Sequence, residues 1–141
     1  MIWVIDASVA VCWFLETESD PNADAVLERV VQQADTFAVP ELFAFEVHAV
    51  LCRVHSHGAR VFEECMMPLL EGGIYRQPMT RGLARRAALF GSKGLTGYDA
   101  CYAALAAELK GCWITFDEKA HQRIRTLKVS HSLVRGLPDN W

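Results

Sequence analysis

Four acidic residues distributed along the 141-residue chain are of a type that could perform chemistry together. They are Asp6, Glu46, Asp99 and Asp117. Carboxylates grouped in one place would repel one another, and the repulsion would raise their pKa values unless a divalent cation neutralised them. Oxygen ligands of this kind suit Mg²⁺ or Mn²⁺. A cation held there can ionise a water and offset the charge of a phosphate, which is how carboxylate-held metals assist phosphodiester cleavage.

Most of these acids also have an ordinary structural explanation. Asp6 and Asp117 each follow a short apolar run, and each could cap the next helix by accepting an early backbone N–H. Thr96 could cap a helix whose third position is Asp99, as in a capping box. The local sequence leaves both explanations open for these three acids.

Glu46 is harder to explain as a surface residue. It falls on the margin of an apolar helical stripe that should face the core, where a carboxylate is partly desolvated. Arg53 is the nearest basic residue on the same side of that helix. The stripe consists of Phe43, Val47, Val50 and Val54.

Short strand-like apolar runs alternate with helical stripes along the chain, and this alternation predicts an α/β fold with a parallel sheet. Strands are predicted at 2–5, 36–39, 74–77, 112–116 and 129–134. Helices are predicted at 7–15, 21–33, from 40 onwards, and at 59–70, 80–90, 98–110 and 117–124. Open parallel sheets bind ligands beyond the carboxyl ends of their strands, where Asp6 and Asp117 should lie.

The helix predicted at 98–110 should place small residues beside Asp99. Ala103 and Ala106 follow Asp99 at helical spacing and leave space next to its carboxylate. The stripe expected to pack inward consists of Tyr98, Cys101, Tyr102, Leu105 and Leu109.

Length and composition predict one domain spanning 1–141. The hydrophobic fraction of 52% suggests that some apolar surface is covered by a partner, and at least a dimer is expected. No stretch reaches the roughly 18 apolar residues of a membrane span, and no basic segment precedes the apolar start, so a cytoplasmic protein without membrane contact is expected.

The net charge of −3 means that any RNA-binding surface must be local. Two basic groups could contact phosphates, although solvated faces are the commoner explanation. They are Arg81, Arg85 and Arg86 in one predicted helix, and Arg123, Arg125 and Lys128 further on. Five cysteines without a CxxC pair are interpreted as small buried hydrophobes, and the five histidines fit no ligand spacing.

Four segments together resemble the PIN-domain family, and specifically the VapC-type toxins of bacterial and archaeal toxin–antitoxin pairs. They are VIDASV, VPELFAFEVHAVL, LTGYDACYAALAAE and WITFDEKA, and each contains one of the four acids. The resemblance spans the whole chain and implies a PIN-like Rossmannoid fold, with a central parallel sheet of about five strands flanked by helices. Phe116 departs from the pattern, because a small residue is common before the fourth acid, and it could narrow access to a metal.

The resemblance also implies a function. Asp6, Glu46, Asp99 and Asp117 would form a metal-binding catalytic site, with Ser8 and Thr115 as supporting hydroxyls. The activity would be endoribonucleolytic cleavage of RNA dependent on Mg²⁺ or Mn²⁺, restrained by a cognate VapB-type antitoxin. Homodimers are typical of such toxins.

Three other functions are weighed against this one. A haloacid-dehalogenase-like phosphatase needs a second Asp two residues after the first, where this chain has Ser8. A receiver domain needs two adjacent acids, whereas Asp6 is followed by Ala7. The third alternative is a PIN-like module that binds RNA or protein without cutting, its acids serving as caps and surface charge.

Overall fold

Five short strands form a single parallel sheet at the centre of the computed structural model, which describes residues 1–141. The strands are β1 (Trp3–Ile5), β2 (Phe37–Pro40), β3 (Tyr75–Gln77), β4 (Cys112–Thr115) and β5 (Ser130–Ser132), in the order β3-β2-β1-β4-β5. The first strand is therefore the middle one, with Trp3 paired to Phe37 on one side and to Cys112 on the other. Every residue of β1 and β2 is buried, as expected of strands covered on both faces.

Helices connect and cover these strands. They are α1 (Ala7–Phe14), α2 (Pro21–Gln32), α3 (Leu42–Val54), α4 (Gly58–Val61), α5 (Met67–Glu71), α6 (Arg81–Gly91), α7 (Gly97–Glu108) and α8 (Glu118–Ile124). Asp6, Asp20, Thr80, Thr96 and Asp117 each cap the helix that follows through a side-chain oxygen. None of the helices combines the length and the apolar composition needed to span a bilayer. The α/β fold and its five parallel strands are confirmed.

The helix predicted at 59–70 is interrupted. A π-helical turn, Phe62–Met66, separates α4 from α5. Pro68 stands in the first turn of α5 and has no backbone N–H to donate to the preceding turn, so the α-helical bonding pattern cannot continue through it. A π-helical turn contains one more residue than an α-helical turn. The spacing of apolar residues in the sequence does not predict where such a turn occurs.

Helix α7 is buried on nearly all sides. Residues 100–106 are all buried, and the helix packs against α6 and the central strands. The inward stripe predicted for it is wrong at Tyr98, which is 67% exposed, because the alanine-rich helix has no polar face that would mark its orientation. The predicted stripe of α3 likewise fails at Val54, which lies exposed at the helix end, while Leu51 is buried instead.

The cysteine prediction holds only in part. Cys101 is buried, Cys12 and Cys112 are half-buried, and Cys52 and Cys65 are exposed. The exposed pair lies on the outer sides of α3 and the π-helical turn, where cysteine type alone gives no information about burial. All five are free thiols.

Two glycines near the two ends of α7 differ in the space that is available for a side chain. Gly111 joins α7 to β4, and a β-carbon there would lie 2.2 Å from the carbonyl oxygen of Ile2. Only glycine permits this close approach of two backbones. Gly97, in the first turn of α7, has open space where a β-carbon would stand.

Candidate active site

Asp6 lies where β1 ends, and both of its carboxylate oxygens accept hydrogen bonds. The backbone N–H of Ser8 donates to Oδ2 at 3.0 Å, which caps α1. The indole Nε1 of Trp113 donates to Oδ1 at 3.1 Å. With 7% of its surface exposed, the Asp6 side chain is thus held in one orientation by the helix start and by β4.

Asp117 lies where the adjacent strand β4 ends. Its Oδ1 accepts from the backbone N–H of Ala120 at 2.9 Å, which caps α8. Its own backbone N–H donates to Oγ1 of Thr115 at 2.9 Å. The capping explanation for Asp6 and Asp117 is confirmed, and it coexists with their position at the carboxyl ends of two neighbouring strands.

The hydroxyl of Ser8 links these two strand ends. Its Oγ accepts from the backbone N–H of Phe116 at 3.1 Å and lies 3.5 Å from Oγ1 of Thr115. Ser8 and Phe116 also line a cleft of about 490 Å³, together with residues of α1 and of the segment that follows it. Phe116 is half-buried there and forms part of the cleft wall.

Glu46 is held by a residue distant in sequence. Tyr102 on α7 donates its hydroxyl to Oε1 of Glu46 at 2.8 Å. The ring of Tyr102 stacks on that of Trp113, with centroids 5.9 Å apart, and Trp113 in turn donates to Asp6. The expected neighbour Arg53 is exposed and makes no ion pair with Glu46, since the helix turns its side chain towards solvent.

Sequence reasoning missed Tyr102 and Trp113 as partners of these carboxylates. Both were predicted to lie in buried segments, and buried Tyr and Trp usually find partners for their O–H and N–H groups. That tendency indicates that each needs an acceptor, but it does not say which of the chain's carboxylates supplies it.

Asp99 stands in the first turn of α7, where its backbone N–H donates to Oγ1 of Thr96 at 3.3 Å. Thr96 is thus the cap predicted from the sequence. The carboxylate of Asp99 itself accepts from no backbone N–H, so capping does not account for it.

Burial and mutual repulsion raise the pKa values of three of the four acids. Burial is the main cause of the raised pKa of Asp6, opposed by its hydrogen bonds from Ser8 and Trp113 and reinforced by the charge of Asp99. Burial likewise raises the pKa of Glu46, opposed by the Tyr102 hydroxyl, and the charges of Asp6 and Asp99 add to the effect.

The pKa of Asp99 is raised mainly by burial and further by the charge of Asp117, while the Thr96 hydroxyl and the Arg123 guanidinium act in the opposite direction. Asp99 therefore interacts electrostatically with all three other acids.

The four side chains share one end of the sheet but do not form a coordination shell as they lie. No group of three or more His, Cys, Asp or Glu residues is close enough together to hold a metal ion. The donor set that the four acids offer consists of carboxylate oxygens. Its chemistry matches hard cations such as Mg²⁺ or Mn²⁺.

The PIN domain family model matches residues 3–126. No curated protein sequence matches the chain significantly. The crystal structure of FitAcB from Neisseria gonorrhoeae is similar over 96% of this chain and 100% of that chain, with a TM-score of 0.74 and 16% identity.

Two further crystal structures share the fold. VapC20 from Mycobacterium tuberculosis, described as a toxin that cleaves the sarcin–ricin loop, has a TM-score of 0.64 and 13% identity over 85% of this chain and 93% of that chain. VapBC2 from Rickettsia felis, bound to a DNA fragment from its promoter, has a TM-score of 0.65 and 14% identity over 94% of this chain and 98% of that chain.

Proposed function

This chain belongs to the PIN domain family, and on that premise we propose that it is a metal-dependent endoribonuclease. The observation that carries the proposal is that Asp6 and Glu46 are linked through Trp113 and Tyr102 at the carboxyl end of the sheet, and that Asp99 interacts electrostatically with the three other acids. Such a cluster is unfavourable unless something offsets its charge. A cation that also takes part in phosphodiester hydrolysis would do so.

Asp6, Glu46, Asp99 and Asp117 would hold Mg²⁺ or Mn²⁺ in this proposal, through carboxylate oxygens only. When bound, such an ion lowers the pKa of a water and offsets negative charge on the scissile phosphate. Their raised pKa values are those of carboxylates whose negative charge a cation would offset. The donor set therefore fits the ion by its chemistry.

The chain's own residues would position these carboxylates. Ser8 N–H and the Trp113 indole fix the orientation of Asp6, and the Tyr102 hydroxyl fixes that of Glu46. Such supporting hydrogen bonds commonly change metal affinity or activity by about 10- to 100-fold when removed. The hydroxyls of Ser8 and Thr115 would act as supports one step further out, by holding the two strand ends together.

The solved structures with this fold support a toxin role as part of the proposal. VapC20 is described as a toxin, and VapBC2 is a complex bound to promoter DNA. By analogy, this chain would be the toxin of a toxin–antitoxin pair, inhibited by a VapB-type antitoxin. It would also form a homodimer, because Phe45 and Tyr98 expose 71% and 67% of their surface beside one apolar cleft.

A non-cutting module is the competing proposal, and one observation favours it. The capping roles of Asp6 and Asp117 explain two of the acids without any chemistry. Glu46 and Asp99 cap nothing; Glu46 accepts from the buried Tyr102 hydroxyl, but neither that bond nor a cap accounts for placing Asp99 among the other acids. The nuclease proposal accounts for all four.

Cleavage of single-stranded RNA by the purified protein tests the proposal. We expect cleavage with Mg²⁺ or Mn²⁺, none with EDTA, and a loss of at least roughly 100-fold in Asp6→Asn. Asp139→Asn, which removes the same charge from an exposed site, should cleave normally. Calorimetric titration with Mn²⁺ should show binding to the Asp139→Asn variant and weakened binding to Asp6→Asn. Equal cleavage by the two variants would contradict the proposal.

A further inference from the structure

Basic residues are concentrated in two segments that contain no acid at all. Residues 81–98 and 119–138 hold nine of the 14 Lys and Arg residues and none of the 17 Asp and Glu residues. The rest of the chain therefore carries five basic and 17 acidic residues, a formal charge of −12, against +9 for the two segments. The overall charge of −3 conceals this division.

The fold brings the two segments together. Helix α6 and the residues that follow α8 line one cleft of about 320 Å³, to which Arg86 and Lys93 contribute from one side and Leu127 and Val129 from the other. The two segments also meet at Gly94, where a β-carbon would lie 3.6 Å from Cδ of Arg123. These contacts bring Arg86, Lys93 and Arg123 to the junction of the two segments. The exposed side of both segments is called here the α6–α8 basic surface, and its cations are Arg81, Arg85, Arg86, Lys93, Lys119, Arg123, Arg125, Lys128 and Arg135.

The cations of this surface have almost no partners within the protein. All nine are exposed, and only Arg135 forms an ion pair, with Glu118 at 2.6 Å. The other ion pairs of the chain involve Arg60 and Arg76, which lie elsewhere. A concentration of unpaired like charge destabilises a fold by self-repulsion, so intramolecular stability does not explain it.

The surface begins beside the acid cluster. Gly94 lies in the connection that leads into α7, a few residues before Asp99. Arg123 packs at Gly94 and is close enough to Asp99 for their charges to interact. A polyanion approaching the four carboxylates would be repelled by them, and an adjacent unpaired cationic surface offsets that repulsion.

We propose that the α6–α8 basic surface binds the phosphate backbone of the RNA strand and delivers it to the acid cluster. This inference rests on the proposed ribonuclease function and names the surface that the substrate uses. Exposed cations binding phosphates make affinity strongly dependent on salt, with little dependence on sequence. RNA is favoured over an acidic protein as the occupant because the surface adjoins the site at which RNA would be cut.

The test compares two double variants with equal total charge. Lys93→Gln/Arg123→Gln removes two cations of the surface, and Arg53→Gln/Arg60→Gln removes two exposed cations elsewhere. Binding of a labelled single-stranded RNA is measured by fluorescence anisotropy in EDTA, between about 50 and about 200 mM salt. A labelled polyglutamate peptide serves as the second probe, and cleavage is measured separately with Mn²⁺.

The surface variant should bind RNA about 10- to 30-fold more weakly at ~100 mM salt, and its log–log salt slope should be shallower by about 1.4. The control variant should match the wild type. Unchanged RNA affinity in the surface variant, with a wild type that cleaves RNA, would overturn this inference and leave the proposed function standing. Loss of polyglutamate binding alone would overturn it in favour of an acidic protein partner. A wild type that neither binds nor cleaves RNA would overturn both.

Discussion

At the residue scale, structural and chemical roles coincide in Asp6 and Asp117. Each carboxylate caps a helix, and each lies at the end of one of two neighbouring strands. The cap fixes the rotamer, and a fixed rotamer is what a ligand to a metal requires. The local sequence predicted the caps correctly, because capping depends on residues two or three positions away. The shared site remains a prediction from the family resemblance.

The partner of Glu46 could not be predicted from its own helix. Tyr102 is 56 residues further along the chain, and the contact depends on how α3 and α7 pack on the sheet. Arg53, the candidate from helical spacing, faces solvent. Helical periodicity gives the side of a helix on which a residue lies, but it does not identify the element packed there.

Asp99 is needed for the proposed activity, but it should make the folded protein less stable than a neutral residue at the same position would. We expect Asp99→Asn to raise the free energy of unfolding in EDTA by about 0.5–1 kcal/mol at neutral pH, after allowing for solvent screening of a half-buried group. The substitution removes the negative charge of a carboxyl group whose pKa is raised by burial and by the neighbouring acid Asp117. Urea denaturation measures the gain, and RNA cleavage by the same variant should be lost.

The gain should depend on pH. A carboxyl group whose pKa is higher in the folded than in the unfolded state contributes stability that is fully present below the unfolded-state pKa and is lost as pH rises through the folded pKa. The advantage of Asp99→Asn over the wild type should therefore shrink towards pH ~4. Asp35→Asn, at an exposed position, serves as the control. A variant less stable than wild type at every pH would refute this account.

At the element scale, the strands were predictable and the details of the helices less so. Runs such as Trp3–Ile5 and Phe37–Pro40 are buried on both faces. A short, continuous apolar run is typical of such a strand, so these strands could be predicted from residue type. The orientation of α7 could not be predicted, because residues that pack in every direction leave no polar face. The strand order β3-β2-β1-β4-β5 depends on contacts between distant segments, which the sequence pattern does not encode.

The connection from α7 to β4 should tolerate no side chain at its glycine. We expect Gly111→Ala to lower the free energy of unfolding by about 2–3 kcal/mol, because the new methyl group would collide with the carbonyl oxygen of Ile2. Gly97→Ala, at the start of the same helix, should instead raise it by about 0.5 kcal/mol. Chemical denaturation of both variants tests the pair. Equal effects would show that the close approach at Gly111 is unimportant.

At the scale of the whole molecule, the apolar composition predicts association. We expect light scattering at low micromolar concentration to give a dimer mass for the wild type. Phe45→Ser should shift it towards monomer, since Phe45 is 71% exposed beside an apolar cleft shared with Tyr98. Val31→Ser, at a similarly exposed apolar position on α2, is the matched control. A purely monomeric wild type would contradict the expectation.

The central position of β1 also determines when the site can form during folding. Strand β1 pairs with residues 112–114, and Asp6 and Trp113 are 107 residues apart along the chain. Pairing between segments so distant must close a long loop, which costs entropy before the contact stabilises anything. Until β4 docks beside β1, Asp6 lacks both the indole of Trp113 and the neighbouring strand end that carries Asp117. The carboxylates are therefore brought together only when the two halves of the sheet have joined.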